Sequence, residues 1–175
     1  MKKDKVLHFA QSAIIAAMYV ALTYFQEMLF PTSTSMAVQF RVSEALMMLC
    51  VFSPTAIYGL TLGCVISNIM NVSVLPLDVV IGSFATFLAA VTMYKTRNIT
   101  FKKLPLLPAL MPAVFNGVLI GLEIEIFFIE GPFRFGSFIV QGGCVALGEL
   151  LVLYSLGLVL YTQVKKRGLQ NRFFK

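Results

Sequence analysis

Residues 95–103 read KTRNITFKK, with four basic side chains, and they separate two long apolar runs at about 76–94 and 105–129. Each run has the roughly 20 residues that a helix needs to cross the hydrocarbon core of a bilayer. Loops rich in lysine and arginine remain on the cytoplasmic side of a membrane. The segment therefore predicts two transmembrane helices joined by a cytoplasmic loop.

The other basic residues extend this topology to both ends of the chain. Of the 14 lysines and arginines, three precede the first apolar run, four lie in the 95–103 loop and five follow the last run. Only Arg41 and Arg134 fall on the opposite side. The pattern predicts an all-α integral membrane protein, a single domain over 1–175, with both termini cytoplasmic. Its six predicted transmembrane helices span about 6–30, 37–53, 54–71, 76–94, 105–129 and 135–164.

The composition points away from a soluble domain. The chain is 58% apolar and 13% charged, whereas soluble domains carry about 25% charged residues. Because the net charge of +6 comes from loops and termini, we expect it to face anionic lipids of the inner leaflet and not nucleic acid. The three cysteines lie in apolar segments without CxxC spacing, which predicts buried free thiols and neither a metal site nor a disulfide.

Motifs of catalysis are missing from the sequence. It has no Walker A loop, no HExxH and no GxSxG, so we expect no ATP hydrolysis by this chain, no enzyme activity and no cofactor. The one histidine, His8, lies at the opposite side of the membrane from the acidic residues.

Within the predicted helices, polar side chains occur only between the outer end and about the middle of the membrane. Arg41 and Glu44 lie three residues apart, so they share a helix face, either as an interfacial salt bridge or as part of a cavity wall. Charges inside a membrane cost a few kcal/mol and usually face a wet cavity. Asp78, at the start of its helix, also fits a simple partner of the helix dipole. The remaining polar residues of the outer halves are Asn68, Asn116, Glu123 and Glu149.

The cytoplasmic half of each predicted helix carries no charge apart from its end. A channel or a complete alternating-access transporter should show polar lining on both sides of the membrane. The one-sided pattern predicts a cup that opens outward above an apolar floor. That is a ligand-binding membrane protein that cannot complete transport alone. Glu125, two residues from Glu123, is expected to point elsewhere, at the interface or the rim.

Small residues recur every four positions on two helices. Gly59 and Gly63 on the third helix favour close packing within the bundle. Ala13, Ala17 and Ala21 on the first helix have the same spacing. This stripe predicts either internal packing or a docking surface for another protein.

Residues 39–46 read QFRVSEAL, and this run resembles the signature of QueT-type proteins. These are substrate-binding S components of energy-coupling factor (ECF) transporters, assigned to queuosine precursors. The likeness covers nearly the whole chain, and its other blocks are Ala13 to Thr23, Gly59 to Cys64 with Asn68, Asp78 with Gly82, Ser83 and Thr86, Asn116 with 121–123, and 148–150.

The resemblance implies an S-component bundle in a bacterial plasma membrane. It implies capture of a queuosine precursor at the outer face and toppling within the bilayer to deliver it. It further implies docking through Ala13, Ala17 and Ala21 onto a transmembrane scaffold subunit (T component) that carries two ATPase subunits. The family-like blocks contain the predicted substrate-binding residues Gln39, Arg41, Glu44, Asn68, Asp78, Asn116, Glu123 and Glu149.

A 7-deazaguanine, such as the 7-aminomethyl or 7-cyano form, suits such a site. One carboxylate accepts two adjacent N–H groups of the ring as a charge-assisted pair, and a second carboxylate holds the aminomethyl cation. Glu44 or Glu123 is the expected base-edge acceptor and Asp78 or Glu149 its support; the sequence leaves this choice open. The alternatives are an S component for another vitamin or nucleobase-like solute and, less favoured, an intramembrane enzyme that uses the buried acids.

Overall fold

The computed structural model describes residues 2–30, 40–71 and 76–174, with side chains from residue 4 onward. Apart from one isolated β-bridge between Phe101 and Leu104, these residues form helices and turns, which confirms the all-α fold class. The elements are α1 (Lys2–Leu29), a 3₁₀ helix (Val42–Val51), α2 (Thr55–Met70), α3 (Pro76–Thr96), α4 (Leu106–Glu123) with a π-helical turn (Ile124–Phe128), α5 (Phe135–Val152) with a π-helical turn (Leu153–Gly157), α6 (Leu158–Lys166) and α7 (Leu169–Phe173).

Four helical stretches in the described part of the chain are long and apolar enough to cross a membrane: Asp4–Leu29, Pro76–Thr96, Leu106–Phe128 and Phe135–Lys166. The other two predicted spans correspond to shorter apolar helices, Val42–Val51 and Thr55–Met70. The six crossings and the cytoplasmic termini therefore remain predictions. The start predicted for the second helix, at 37, lies outside the described residues.

Prolines stand at the starts of three helices. Pro54 immediately precedes α2, Pro76 is the first residue of α3, and Pro105 immediately precedes α4. A proline costs little there because the N–H groups of the first turn have no partner within the helix. The turn before α5 contains Gly131 with a φ of +119°, a backbone conformation that glycine adopts most easily.

Glycines bring the helices into close contact. A Cβ added at Gly59 would lie 2.7 Å from the Ser12 carbonyl oxygen, and one at Gly63 would lie 2.8 Å from Cβ of Tyr19. The small-residue stripe of α2 thus packs against α1 within the chain, as predicted. On the other side of the bundle, α4 and α5 approach so closely that a Cβ at Gly142 would lie 2.5 Å from the Gly117 carbonyl oxygen.

The 3₁₀ helix lies in the middle of the bundle. Its residues from Ser43 to Val51 are buried, and it contacts α1 to α6. Its polar end, with Glu44, meets the acids and amides of the other helices, whereas the side chains that follow are apolar. Fully buried apolar side chains packed together in the bundle include Met47, Met48, Leu60, Met93 and Leu153. Their apolar character fits the floor that the charge pattern predicted, and the place of this layer on the cytoplasmic side remains a prediction. Cys50 and Cys64 are buried thiols as predicted, whereas Cys144 is only half-buried.

Candidate functional site

A small polar cavity lies where the 3₁₀ helix meets α3, α4 and α5. Its volume is about 10 Å³, which is room for about one water molecule. Four of the predicted substrate-binding residues line it, two from the start of the 3₁₀ helix, one from α4 and one from α5. The complete lining is Arg41, Glu44, Gly82, Thr86, Asn116, Ile120 and Glu149.

A side chain of α1 holds Glu44 in the wall of the cavity. The Tyr19 hydroxyl donates a hydrogen bond to Glu44 Oε1, and both side chains are buried. The other carboxylate oxygen, Oε2, has no hydrogen-bond partner among the described residues. Next to this pair, the Thr23 hydroxyl donates to Ser43 Oγ at 2.8 Å. The Val42 N–H donates to the side chain of Gln26 at 2.6 Å, so α1 positions the start of the 3₁₀ helix.

Arg41 precedes the 3₁₀ helix and is held by α2. Its Nη1 donates to Asn68 Oδ1 at 3.2 Å, while its Nε has no partner within the described part of the chain. The Asn68 amide in turn donates to the backbone carbonyl of Asp78 at 3.4 Å. Asn68 is not part of the cavity lining. It therefore acts on the site by positioning Arg41 against α3.

Asn116 and Glu149 form the opposite wall. Asn116 Nδ2 donates to Glu149 Oε1 at 2.7 Å across the α4–α5 contact. The second oxygen of each side chain, Asn116 Oδ1 and Glu149 Oε2, accepts no hydrogen bond from residues 2–30, 40–71 or 76–174. Both side chains are more than nine-tenths buried. Their unpartnered oxygens leave strong acceptors at the cavity.

Asp78 and Glu123 lie next to each other outside the cavity lining. Their carboxyl groups are electrostatic neighbours, and Glu123 is only 2% exposed. Asp78 is four residues before Gly82, and Glu123 is three residues after Ile120. Since residues three and four apart share a helix face, this acidic pair lies about one turn from two residues of the cavity lining.

Gln39, the remaining predicted site residue, lies outside the described residues. Glu125, which was expected to point away from Glu123 at the interface or the rim, is buried. Its Oε1 accepts the Arg134 N–H at 2.9 Å, so it satisfies a backbone donor at the start of α5. The π-helical turn that contains Glu125 directs this carboxylate toward α5 and away from Glu123.

Several residues of the site were not predicted from the sequence. Tyr19 supports Glu44, and Gly82, Thr86 and Ile120 line the cavity. Gly82 and Thr86 lie in one of the sequence blocks that resemble QueT-type proteins. This resemblance was the only indication that they belong to the site. Tyr19 lies between Ala17 and Ala21, and a tyrosine in an apolar helix carries no signal of its own.

The alanine stripe of α1 faces outward. Ala13, Ala17 and Ala21 are exposed, whereas the neighbouring Ala16 is 3% exposed and packs near Gly63. The stripe is therefore not used for packing within the described part of the chain. It is a smooth strip bordered by larger exposed side chains, including Ile14, Met18 and Phe25.

Comparison with known proteins places the chain in a family. The family model described as QueT transporter matches residues 9–166, which include the cavity and its supporting residues. The queuosine precursor transporter QueT of Lactococcus lactis subsp. cremoris (strain MG1363) is 30% identical over 175 residues, covering 95% of this chain and 97% of the relative. No solved structure matches. The chain belongs to the QueT transporter family.

Proposed function

We propose that this chain is the substrate-binding S component of an ECF-type ABC importer in a bacterial plasma membrane. It captures a queuosine precursor, a 7-deazaguanine such as the 7-aminomethyl or 7-cyano form, at the outer face. The observation that carries the proposal is the convergence of Glu44, Asn116 and Glu149 on one cavity, with buried oxygens that lack partners in the described chain. The relative from L. lactis, named for queuosine precursors, supports this choice of ligand.

The cavity chemistry complements the edge of a 7-deazaguanine ring. The ring presents adjacent N–H donors on its imide and exocyclic amine, and Glu44 Oε2 is a buried acceptor at the cavity. The Glu149–Asn116 pair adds further acceptor oxygens beside it. Arg41 carries an Nε–H without a partner in the described residues, which suits the ring carbonyl. A site with these groups rejects analogues that lack the donors, because its buried acceptors would stay unpaired.

Binding requires the cavity to widen. Its volume of about 10 Å³ is far below the roughly 300–1,000 Å³ of ordinary ligand pockets. The lining side chains belong to different helices. A ligand therefore widens the cavity by moving these helices apart, and no helix has to break. We propose that the ring enters between α3 and α4, where Gly82 has no side chain and Ile120 carries no charge.

The chain needs partners to finish transport. The apolar floor below Glu44 gives the ligand no polar path inward, and the sequence holds no nucleotide-binding loop. We propose that two separate ATPase subunits supply ATP hydrolysis and that the chain itself is not an enzyme. The exposed strip of Ala13, Ala17 and Ala21 is the proposed contact with the T component. Small residues at such a surface allow two helices to approach closely.

Equilibrium binding to the purified protein tests the proposal. Without ATP, the protein should bind 7-aminomethyl-7-deazaguanine, and Glu44→Ala or Glu123→Ala should weaken binding at least about tenfold, the scale of one charge-assisted hydrogen bond. Glu130→Ala, which removes an exposed acid outside the site, is the control and should bind like the wild type. Unchanged affinity in both site variants would remove the assignment of the site.

A further inference from the structure

A second cavity, separate from the polar one, lies between α1, the 3₁₀ helix, α6 and α7. This groove has a volume of about 240 Å³, the space of roughly eight water-sized groups. Among the described residues that line it, Gln11 is polar and the others are aliphatic, methionine or phenylalanine side chains, including Ile14, Leu46, Leu160 and Phe173. The groove therefore suits a stretch of one hydrocarbon chain.

Gln11 leaves one buried hydrogen-bond acceptor at the groove. Its Nε2 donates to the Phe173 carbonyl, which holds the end of α7 against α1. Its Oε1 has no hydrogen-bond partner among the described residues, although the side chain is only 8% exposed. A buried acceptor without a donor is costly. An occupant that brings a hydroxyl group together with an apolar chain removes this cost.

Positive charge is concentrated beside the groove. The segment that runs from the last turn of α6 into α7 carries exposed basic residues, each within two residues of a side chain that lines the groove: Lys165, Lys166, Arg167 and Arg172. No acidic residue follows Glu149 in the sequence to offset them. Lysines and arginines near a membrane surface attract anionic lipids. The charge therefore complements a phosphate group attached to the hydrocarbon chain.

We propose that this groove binds an anionic phospholipid with a hydroxylated headgroup, of the phosphatidylglycerol type. One acyl chain lies in the groove, the phosphate lies near the basic side chains of 165–172, and a headgroup hydroxyl donates to Gln11 Oε1. Ile14 and Met18 line the groove and also border the alanine stripe of α1. The bound lipid therefore lies beside the proposed docking surface, and none of the groove residues lines the polar cavity.

Competition between two lipids tests this proposal. Purified full-length protein is incubated with equal amounts of phosphatidylglycerol and phosphatidylcholine that carry the same acyl chains, and native mass spectrometry identifies the lipid retained. The wild type should prefer phosphatidylglycerol by at least about tenfold, because several basic residues act on its phosphate. Lys166→Gln combined with Arg172→Gln should reduce this preference to less than about threefold. Lys102→Gln combined with Lys103→Gln removes the same charge from exposed positions outside the groove and should keep the wild-type preference.

A variant of the groove itself tests the place of the acyl chain. Ile14→Trp puts a large side chain at the groove and should lower retention of phosphatidylglycerol at least about fivefold, since each methylene group that is buried contributes to binding. Val140→Trp, at an exposed position of α5 outside the groove, should retain the lipid like the wild type. Equal retention of the two lipids by the wild type, an equal loss in the Lys102 and Lys103 control, or normal retention by the Ile14 variant would overturn the proposal. Each of these results leaves the proposal for the polar cavity intact, because none of the substituted residues lines it.

Discussion

The Tyr19 hydroxyl on α1 donates a hydrogen bond to Oε1 of Glu44 on the 3₁₀ helix, and both side chains are buried. The same helix α1 exposes Ala13, Ala17 and Ala21 on another face. One helix therefore contacts a wall of the candidate ligand site and also presents the proposed docking surface. This arrangement gives α1 two separable roles that substitutions distinguish.

The first role is tested by Tyr19→Phe. The phenylalanine ring keeps the packing of a fully buried side chain but removes the hydroxyl that holds Glu44. We expect affinity for 7-aminomethyl-7-deazaguanine to fall by about tenfold, the scale of a hydrogen bond to a charged group, as measured by calorimetric titration. Tyr154→Phe removes a hydroxyl that donates to the Leu106 carbonyl at 2.9 Å, a contact between two residues outside the cavity lining, and serves as the control. Equal affinities for the Tyr19 and Tyr154 variants would show that Glu44 needs no support from α1.

The second role is tested by Ala17→Trp. A large side chain in the exposed alanine strip blocks close approach of a partner helix but does not enter the cavity. We expect ligand binding by the purified variant to stay at the wild-type level and uptake by cells to stop. Val140→Trp places the same side chain on an exposed position of α5 and should preserve uptake. Normal uptake by the Ala17 variant would mean that the strip faces lipid only.

The α3 wall of the cavity is tested by Gly82→Ala. The added Cβ would lie 3.1 Å from Asn68 Nδ2, so the amide that holds Arg41 has to shift. We expect binding of 7-aminomethyl-7-deazaguanine to weaken by about fivefold, since a lost or bent hydrogen bond to a charged group has about this effect. Gly143→Ala, where a Cβ meets nothing within 4 Å, should bind normally. If the two variants behave alike, Gly82 is not part of the binding surface.

Adjacent glycines of α5 provide a test of the helix packing. A Cβ at Gly142 would lie 2.5 Å from the Gly117 carbonyl oxygen, whereas one at Gly143 meets nothing within 4 Å. Overpacking costs typically about 1–3 kcal/mol, so Gly142→Val should lower the melting temperature of the purified protein by about 5 °C or more. Gly143→Val should melt close to the wild type. Equal melting temperatures for these neighbouring variants would contradict the α4–α5 contact.

The boundaries of the helices were largely predictable because prolines and apolar runs determine them locally. Pro54, Pro76 and Pro105 stand where α2, α3 and α4 begin, whereas the second predicted helix corresponds to the shorter apolar helix Val42–Val51. Its 3₁₀ geometry was not predictable, because the residues from Ala45 to Val51 are apolar throughout and have no period that distinguishes one helix type from another.

The sequence predicted those residues of the site whose charged side chains are energetically costly to place in a membrane. Charged residues in a membrane usually face the interior of the bundle, and the structure brings Arg41, Glu44 and Glu149 to one cavity. Tyr19 and Gly82 could not be recognised in this way, because tyrosine and glycine are ordinary residues of membrane helices. The burial of Glu125 was not predictable, because a backbone N–H at the start of a neighbouring helix satisfies this carboxylate, a contact that spacing along one helix does not reveal.

Mass spectrometry of the small molecules that copurify with the protein tests the central claim most directly. The wild-type chain, expressed in cells that make queuosine precursors, should carry a 7-deazaguanine, and the Glu44→Ala chain, purified in parallel, should carry little or none. Absence of any 7-deazaguanine from the wild type, or equal amounts in both preparations, would contradict a precursor-binding site at this cavity.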